Sequence, residues 1–270
     1  MEQAERSGTN PGGAAVTAPV LWWVLSGLST AFLLADWRHA PLDLTMHAGF
    51  VLVTAFLGPL GLVLYLLAAR EPLPGMHRRY ISARWKQAVG STLHCVAGDS
   101  VGIVGAAVLV RLVRIPMVWE LLIEYAAGFL VGWLVFQSLF MKDMAGGSYG
   151  RAVVQMLFPE WLSMNGVMAG MGSVMVLGMR GAATASPSRP TFWFLMSLAL
   201  ATGALVAYPL NWWLVAHQLK HGLMSTAPAP VHDRAAHAAP PPRVVPGQRL
   251  AASAASVLLL LAALALAVGA

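Results

Sequence analysis

Residues 90–110 read GSTLHCVAGDSVGIVGAAVLV, a run in which His94, Cys95 and Asp99 are the only side chains that can ionise. As a helix rising ~1.5 Å per residue it would be about 30 Å long, which is the thickness of a bilayer's hydrocarbon core. Working outward, six more apolar stretches fall at 19–36, 46–68, 117–141, 161–180, 192–215 and 251–269. The expected fold is all-α, a polytopic transmembrane helix bundle of six or seven spans.

Composition agrees with a lipid environment. The chain is 58% hydrophobic and 10% charged, against a charged share of roughly 25% in soluble domains. The net charge of +6 comes from basic residues that flank apolar segments, so it reads as a topology signal and not as a nucleic-acid interface. The single cysteine, Cys95, excludes an internal disulfide framework and any zinc or iron–sulfur centre built from this chain's cysteines alone. Residues 1–18 carry Glu2, Glu5 and Arg6 and lack the basic start and small-residue cleavage site of a signal peptide, so the first helix is expected to remain as an anchor.

Orientation follows from the basic links. The link between the second and third spans holds Arg70, Arg78, Arg79, Arg84 and Lys86, which places it in the cytoplasm. With seven straight spans the N-terminus is then inside and the C-terminus outside. Twelve Lys and Arg residues face the cytoplasm (one, five, two and four in successive segments) and five face away. The expected location is the bacterial inner (cytoplasmic) membrane, with a cytoplasmic N-terminus.

The chain divides into an N-terminal tail (1–18), a two-helix hairpin with its basic link (19–84), a four-helix functional core (85–224), a Pro/Ala-rich linker (225–250) and a C-terminal anchor (251–270). The linker, with Pro228, Pro230, Pro240 to Pro242 and Pro246 among alanines, cannot bury enough apolar surface to order itself. The pairs Gly98 and Gly102, Gly128 and Gly132, and Gly166 and Gly170 have the small-xxx-small spacing that lets helices pack closely in lipid.

Ionisable groups inside a span cost at least a few kcal/mol and usually face a partner or a water-filled path. Cys95 and Asp99 share a helix face at i, i+4, with His94 turned about 100° away. Glu120 and Glu124 sit one turn apart on the next span, and Asp99 and Glu124 both fall near mid-membrane. They are the candidate proton-coupling or charge-compensating acids. In the fifth span Met164, Met168, Met171 and Met175, followed by Met179, form one helical stripe. Thioethers are soft ligands suited to Cu(I), although such a stripe is also ordinary flexible core packing. His217 and His221 have the i, i+4 spacing of metal ligands on a helix. The inner ends of spans three, five and six bring His94, Cys95, Met164, His217, His221 and Met224 toward one membrane face. The segment 141–161 between spans four and five reads as a glycine-containing interfacial or re-entrant stretch.

Five strings, HCVAGDSVGI, EYAAGFLVGW, FQSLFMKDMAGGSY, PEWLSMNGVMAGM and AYPLNWWLVAHQLKHGLM, taken in order resemble an uncharacterised bacterial and archaeal family of multi-pass membrane proteins, catalogued only as a domain of unknown function. The resemblance covers about 85–225 and implies a multi-pass helical domain, with no site residue to carry over.

The residues therefore lead the functional reading. The first expectation is a membrane transporter or metal-handling protein for a soft cation, foremost Cu(I), with His94, Cys95, Met164, Met168, Met171, Met175, His217 and His221 as metal ligands and Asp99, Glu120 and Glu124 as intramembrane acids. Copper is the expected bound ion. The lipid bilayer, a small cation and a second copy of the chain in a homo-oligomer are the expected partners, and nucleic acid is not expected. A haem-binding cytochrome using His94 with His217 and a noncatalytic scaffold or assembly subunit are the alternatives. No nucleophile elbow, phosphate loop or HExxH is present, so no enzyme activity is expected.

Overall fold

A computed structural model describes residues 11–73, 75–113, 115–140, 142, 146–178, 186–227 and 244–269. The protein is an all-α bundle: α1 (Pro11–Asp36), α2 (Leu44–Leu57), α3 (Pro59–Ala68), the short α4 (His77–Ile81), α5 (Arg84–Val113), α6 (Met117–Leu130) running on as a π-helix (Val131–Leu139), α7 (Tyr149–Gly178), α8 (Pro190–Ala216) and α9 (Pro246–Gly269). Six helices among the described residues are long and apolar enough to cross a membrane: Ala18–His39, Arg84–Val113, Met117–Leu139, Tyr149–Gly178, Pro190–Ala216 and Pro246–Gly269. The chain is an integral membrane protein in a lipid environment. Its expected linker lies largely outside the described residues.

The second expected span, 46–68, is not one helix. Gly58 has φ +55°, a left-handed backbone that favours glycine, and Pro59 opens α3 where a missing N–H costs nothing. The chain folds back at that point. Phe50 and Tyr65 would be about 22 Å apart on a straight helix, yet their rings meet at 5.6 Å. The tip lies against the first turns of the apolar span of α1 (Ala18–His39), where Trp22 donates to the Phe56 carbonyl at 3.1 Å. The far end of α3 returns to the last turn of α1: Tyr65 donates to Asp36 Oδ2 at 3.2 Å and Arg70 Nε pairs with it at 2.6 Å. Thus α2 and α3 form a re-entrant hairpin that enters and leaves by one face.

That hairpin changes the parity of the bundle. Around the end of α1 gather Arg70, the start of α5 and the segment after α8, where Thr226 N–H donates to the Pro41 carbonyl at 2.8 Å and Gln87 donates to the Ile81 carbonyl. The start of α1 lies at the opposite end, where Trp22 meets Phe194 near the start of α8. The expected seven-span arrangement assumed a straight second span; a hairpin contributes no crossing, so the start of α1 and the 70–86 link lie at opposite ends of the bundle. Among the described residues ten Lys and Arg cluster toward the link's face (Arg38, Arg70, Arg78, Arg79, Arg84, Lys86, Lys142, Arg151, Lys220 and Arg249), and two, Arg111 and Arg189, toward the other. We call these the basic face and the far face.

The fifth span starts earlier than its hydropathy suggests. α7 runs unbroken from Tyr149 with Pro159 inside it, so residues 149–160 are helix where a loop or interfacial stretch was expected. Pro159 suggested a boundary because it removes a backbone donor, but neighbouring helices sustain prolines within membrane spans. α7 is the most enclosed span. α9 lies parallel to it, held by Asn165 Nδ2 to Ser256 Oγ at 3.1 Å and Ser173 Oγ to the Ala263 carbonyl at 3.2 Å. Small residues set the closest approaches: a β-carbon on Gly102 would meet the backbone of Ala127 and Gly128, and one on Gly170 the backbone of Thr202 and Gly203.

Candidate functional site

The four elements α5, the π-helix, α7 and the start of the post-α8 segment converge on one polar cluster inside the bundle. α5 supplies Cys95 and Asp99, one turn apart on the face its sequence predicts. α7 supplies Glu160 and Ser163, and the chain just beyond α8 supplies Lys220. Cys95, Asp99 and Glu160 are fully buried, and one ligand atom from each lies within 4.8 Å of the other two. The thiol sulfur is 3.1 Å from Ser163 Oγ, 3.4 Å from Asp99 Oδ2 and 3.5 Å from Glu160 Oε2. Lys220, 4% exposed, places Nζ 3.1 Å from Glu160 Oε2. Ser163 in turn donates to Asn211 Oδ1 at 3.0 Å.

Gly132 closes the cluster from the π-helix. A β-carbon there would collide with Asp99 Oδ1 and Glu160 Oε1. The wider turn of a π-helix is uncommon and often marks a functional position. Here it carries a residue with no side chain to the point where two carboxylates need the room.

Counting donors against acceptors shows what is unusual. The two carboxylates offer four oxygens. A thiol has one proton for four nearby acceptors, the Ser163 proton is directed to Asn211, and the lysine's one hydrogen bond to a carboxylate goes to Glu160. Asp99 Oδ1 is buried with no hydrogen-bond partner. Buried acceptors left without donors cost about 1–3 kcal/mol each. As carboxylates, Asp99 and Glu160 present more acceptor lone pairs than the thiol, the hydroxyl and the lysine can meet, a deficit that a proton shared between the two acids or a bound cation fills.

The sequence-derived candidates are distributed as follows. His94 stands on the adjacent face of α5, with its ring 5.9 Å from Phe136 and neither ring nitrogen hydrogen-bonded. Met164, Met168, Met171 and Met175 are all buried in the bundle core. Met164 packs where a β-carbon on Gly128 would go, and Met171 where one on Gly203 would go. Met175 lines a pocket of about 10 Å³ near the far face with Arg111, Glu120 and Glu124. Glu120 pairs with Arg111 at 3.0 Å, and Glu124 Oε2 is buried without a partner. Asp99 therefore has Glu160 as its acidic neighbour, while Glu124 belongs to this second station. The pair His217 and His221 does not share a helix face, because α8 ends at Ala216 and Gln218 takes a φ of +54°; His217 Nδ1 is engaged with the Trp213 carbonyl at 2.8 Å.

Sequence reasoning missed Glu160 and Lys220. Glu160 lay one residue outside a span drawn from hydropathy, and Lys220 lay in a link counted as solvated. The signal for Glu160 was the string MLFPEWL, an acid flanked on both sides by large apolar residues. Nothing local marks Lys220.

No curated protein and no solved structure gives a significant match to the chain. The family described as Domain of unknown function (DUF4396) matches residues 84–220, the stretch from the first residue of α5 to Lys220, and thus contains every member of the cluster; the chain belongs to that family.

Proposed function

We propose that this protein binds and passes a soft or borderline metal cation across the membrane, with Cys95, Asp99 and Glu160 as its central ligands. The supporting observation is the fully buried group of one thiol and two carboxyls within 4.8 Å of one another, with Asp99 Oδ1 unpartnered, a donor set that a cation would satisfy. A thiolate with two carboxylates suits a borderline divalent ion, and the buried methionines of α7 suit a soft one such as Cu(I). A column of weak sites lets an ion move without being trapped at any of them. Glu160 to Met175 spans about 22 Å of helix, which reaches from the cluster to the Glu120 and Glu124 station.

The basic face is read as cytoplasmic by the positive-inside rule. Under this reading α1 starts on the outer side, and the Cys95 cluster lies nearer the cytoplasm with the Glu124 station toward the exterior.

The test is equilibrium binding on detergent-purified protein, using Cu(I) held reduced and, separately, Co²⁺ as a spectroscopic probe of thiolate ligation. Stoichiometric binding in the wild type, lost at least tenfold in affinity in Cys95→Ser and in Glu160→Gln, supports the reading. A wild type that binds neither ion overturns it. For passage, a Met168→Leu, Met171→Leu, Met175→Leu variant keeps volume and apolarity, so it should fold and bind normally while moving copper into vesicles more slowly.

A further inference from the structure

The cation-binding reading does not explain why a lysine from outside the spans is buried in the cluster. We propose that the ammonium of Lys220 is a tethered stand-in for the cargo, holding the carboxylates of the empty site until a metal cation replaces it, and that residues 217–226 are the plug that carries it. This inference rests on the cation site proposed above.

Three observations carry it. First, Lys220 is not part of a helix: α8 has ended, Gln218 has turned left-handed, and the chain to 227 is irregular apart from one bridge between Leu42 and Ser225. A residue fixed on a helix could not leave the site without moving the helix, whereas Lys220 lies on irregular chain beyond the end of α8. Second, the segment is seated through spaces left by glycines. Leu223 occupies the place where a β-carbon on Gly90 would go, and Gly222 lies against Gln87, whose amide donates to the Leu223 carbonyl at 3.5 Å. It is a fitted stopper whose far end is anchored, with Ser225 and Thr226 donating to the Pro41 carbonyl and Arg78 to the carbonyls of Ser225 and Ala227. Third, burying an ammonium costs several kcal/mol unless a partner compensates, and Glu160 is its only ion-pair partner among the described residues. A divalent cation offers the same carboxylates more charge and also engages the thiol, so exchange is favourable once one arrives.

With both carboxylates ionised the exchange balances: a divalent ion brings two positive charges, the Lys220 ammonium withdraws one to the basic face, and the Cys95 thiol releases one proton as it becomes the thiolate ligand. No oxidation or reduction is involved.

Because Cys95 is the chain's single cysteine, its alkylation by N-ethylmaleimide reports whether the stopper is in place. The experiment uses the full chain in detergent and compares wild type, Lys220→Met, Lys220→Arg and Leu223→Ala, with thermal unfolding as the control for folding. Wild type and Lys220→Arg are expected to react slowly. Lys220→Met and Leu223→Ala are expected to react at least tenfold faster, and Lys220→Met should bind Co²⁺ at least tenfold more tightly than wild type. Bound Co²⁺ should protect Cys95 in the variants. If Lys220→Met and Leu223→Ala fold and the wild type binds cation, but Cys95 stays unreactive and affinity does not rise, the plug is overturned and the cation site stands. If no variant binds cation while Cys95 becomes reactive, the cation reading fails and the exchange fails with it.

Discussion

Gly132 faces Asp99 so closely that a single methyl group on its α-carbon would overlap the carboxylate. Two backbones and two acids have been brought together at a place where only a bare α-carbon fits. Gly132→Ala must therefore separate the π-helix from α5 or rotate Asp99 out of the cluster. We expect Gly132→Ala to lower cation affinity at least tenfold and to reduce thermal stability. Gly105→Ala, on α5 with nothing within 4 Å, is the control, and should stabilise slightly, by roughly 0.5–1 kcal/mol. Equal effects of the two changes in melting and binding assays would sink the argument.

The Glu160 and Lys220 pair is expected to behave as a buried ion pair does. Removing either partner alone, by Glu160→Gln or Lys220→Met, should cost about 3–5 kcal/mol because an uncompensated charge remains. The double variant should cost clearly less than the sum. Thermal or denaturant unfolding of the four proteins measures the coupling; simple additivity would mean that the two groups do not sense each other. Added Co²⁺ should rescue Lys220→Met more than it rescues Glu160→Gln, since only the former keeps the ligand.

The re-entrant hairpin makes a topological prediction that a straight second span contradicts. In a Cys95→Ser background, cysteines placed at Gly75 and at Ser188 should be labelled by an impermeant maleimide from opposite sides of the membrane. A tag fused before α1 should be accessible from the same side as position 188. A tag found on the side of position 75 would restore seven straight crossings and falsify the hairpin.

His77, on α4 outside the spans, gives a pH dependence. Its ring is buried, and burial is the main cause that pushes its pKa below the usual 6.5. Glu71 opposes that shift, while Arg78, His47 and Lys86 add to it. The unfolded chain then binds a proton that the folded one resists, so the stability contributed at neutral pH is lost as pH falls through about 6.5. Melting temperature should decline from pH 7 to pH 5.5. His77→Gln should flatten that decline, and an unchanged slope would assign it to other groups.

Much of the bundle was legible in the chain, and the exceptions have physical causes. The all-α class, the crossing of residues 84–113 and the burial of Asp99 follow from apolar runs longer than a bilayer and from the cost of charge inside them. Hydropathy is blind to direction reversal: 46–68 is apolar throughout, and only Gly58 followed by Pro59 hints that it turns. Hydropathy also draws a span where the average falls, so Pro159 and Glu160 were left outside α7 although the helix continues through them. The HxxxH spacing of His217 and His221 assumed that a helix persists, and α8 stops one residue short. Cys95 and Asp99 could be placed on one face from spacing alone, because one helix contains both. Their partners Glu160 and Lys220, 61 and 121 residues after Asp99 by number, were brought there by tertiary packing that no local pattern encodes.

The turn at Gly58 also bears on biogenesis. A ribosome that has delivered residues 44–68 to the membrane has made a segment that, by length and apolarity, would serve equally well as one straight crossing. Most of what the folded hairpin packs against besides α1 lies in α5 and α8, with which Leu93 and Leu205 share a crevice beside Leu60 and Val63. Both helices are synthesised later. The hairpin's contacts with α1 are thus available as soon as it is made, and those with α5 and α8 are completed only as these helices follow.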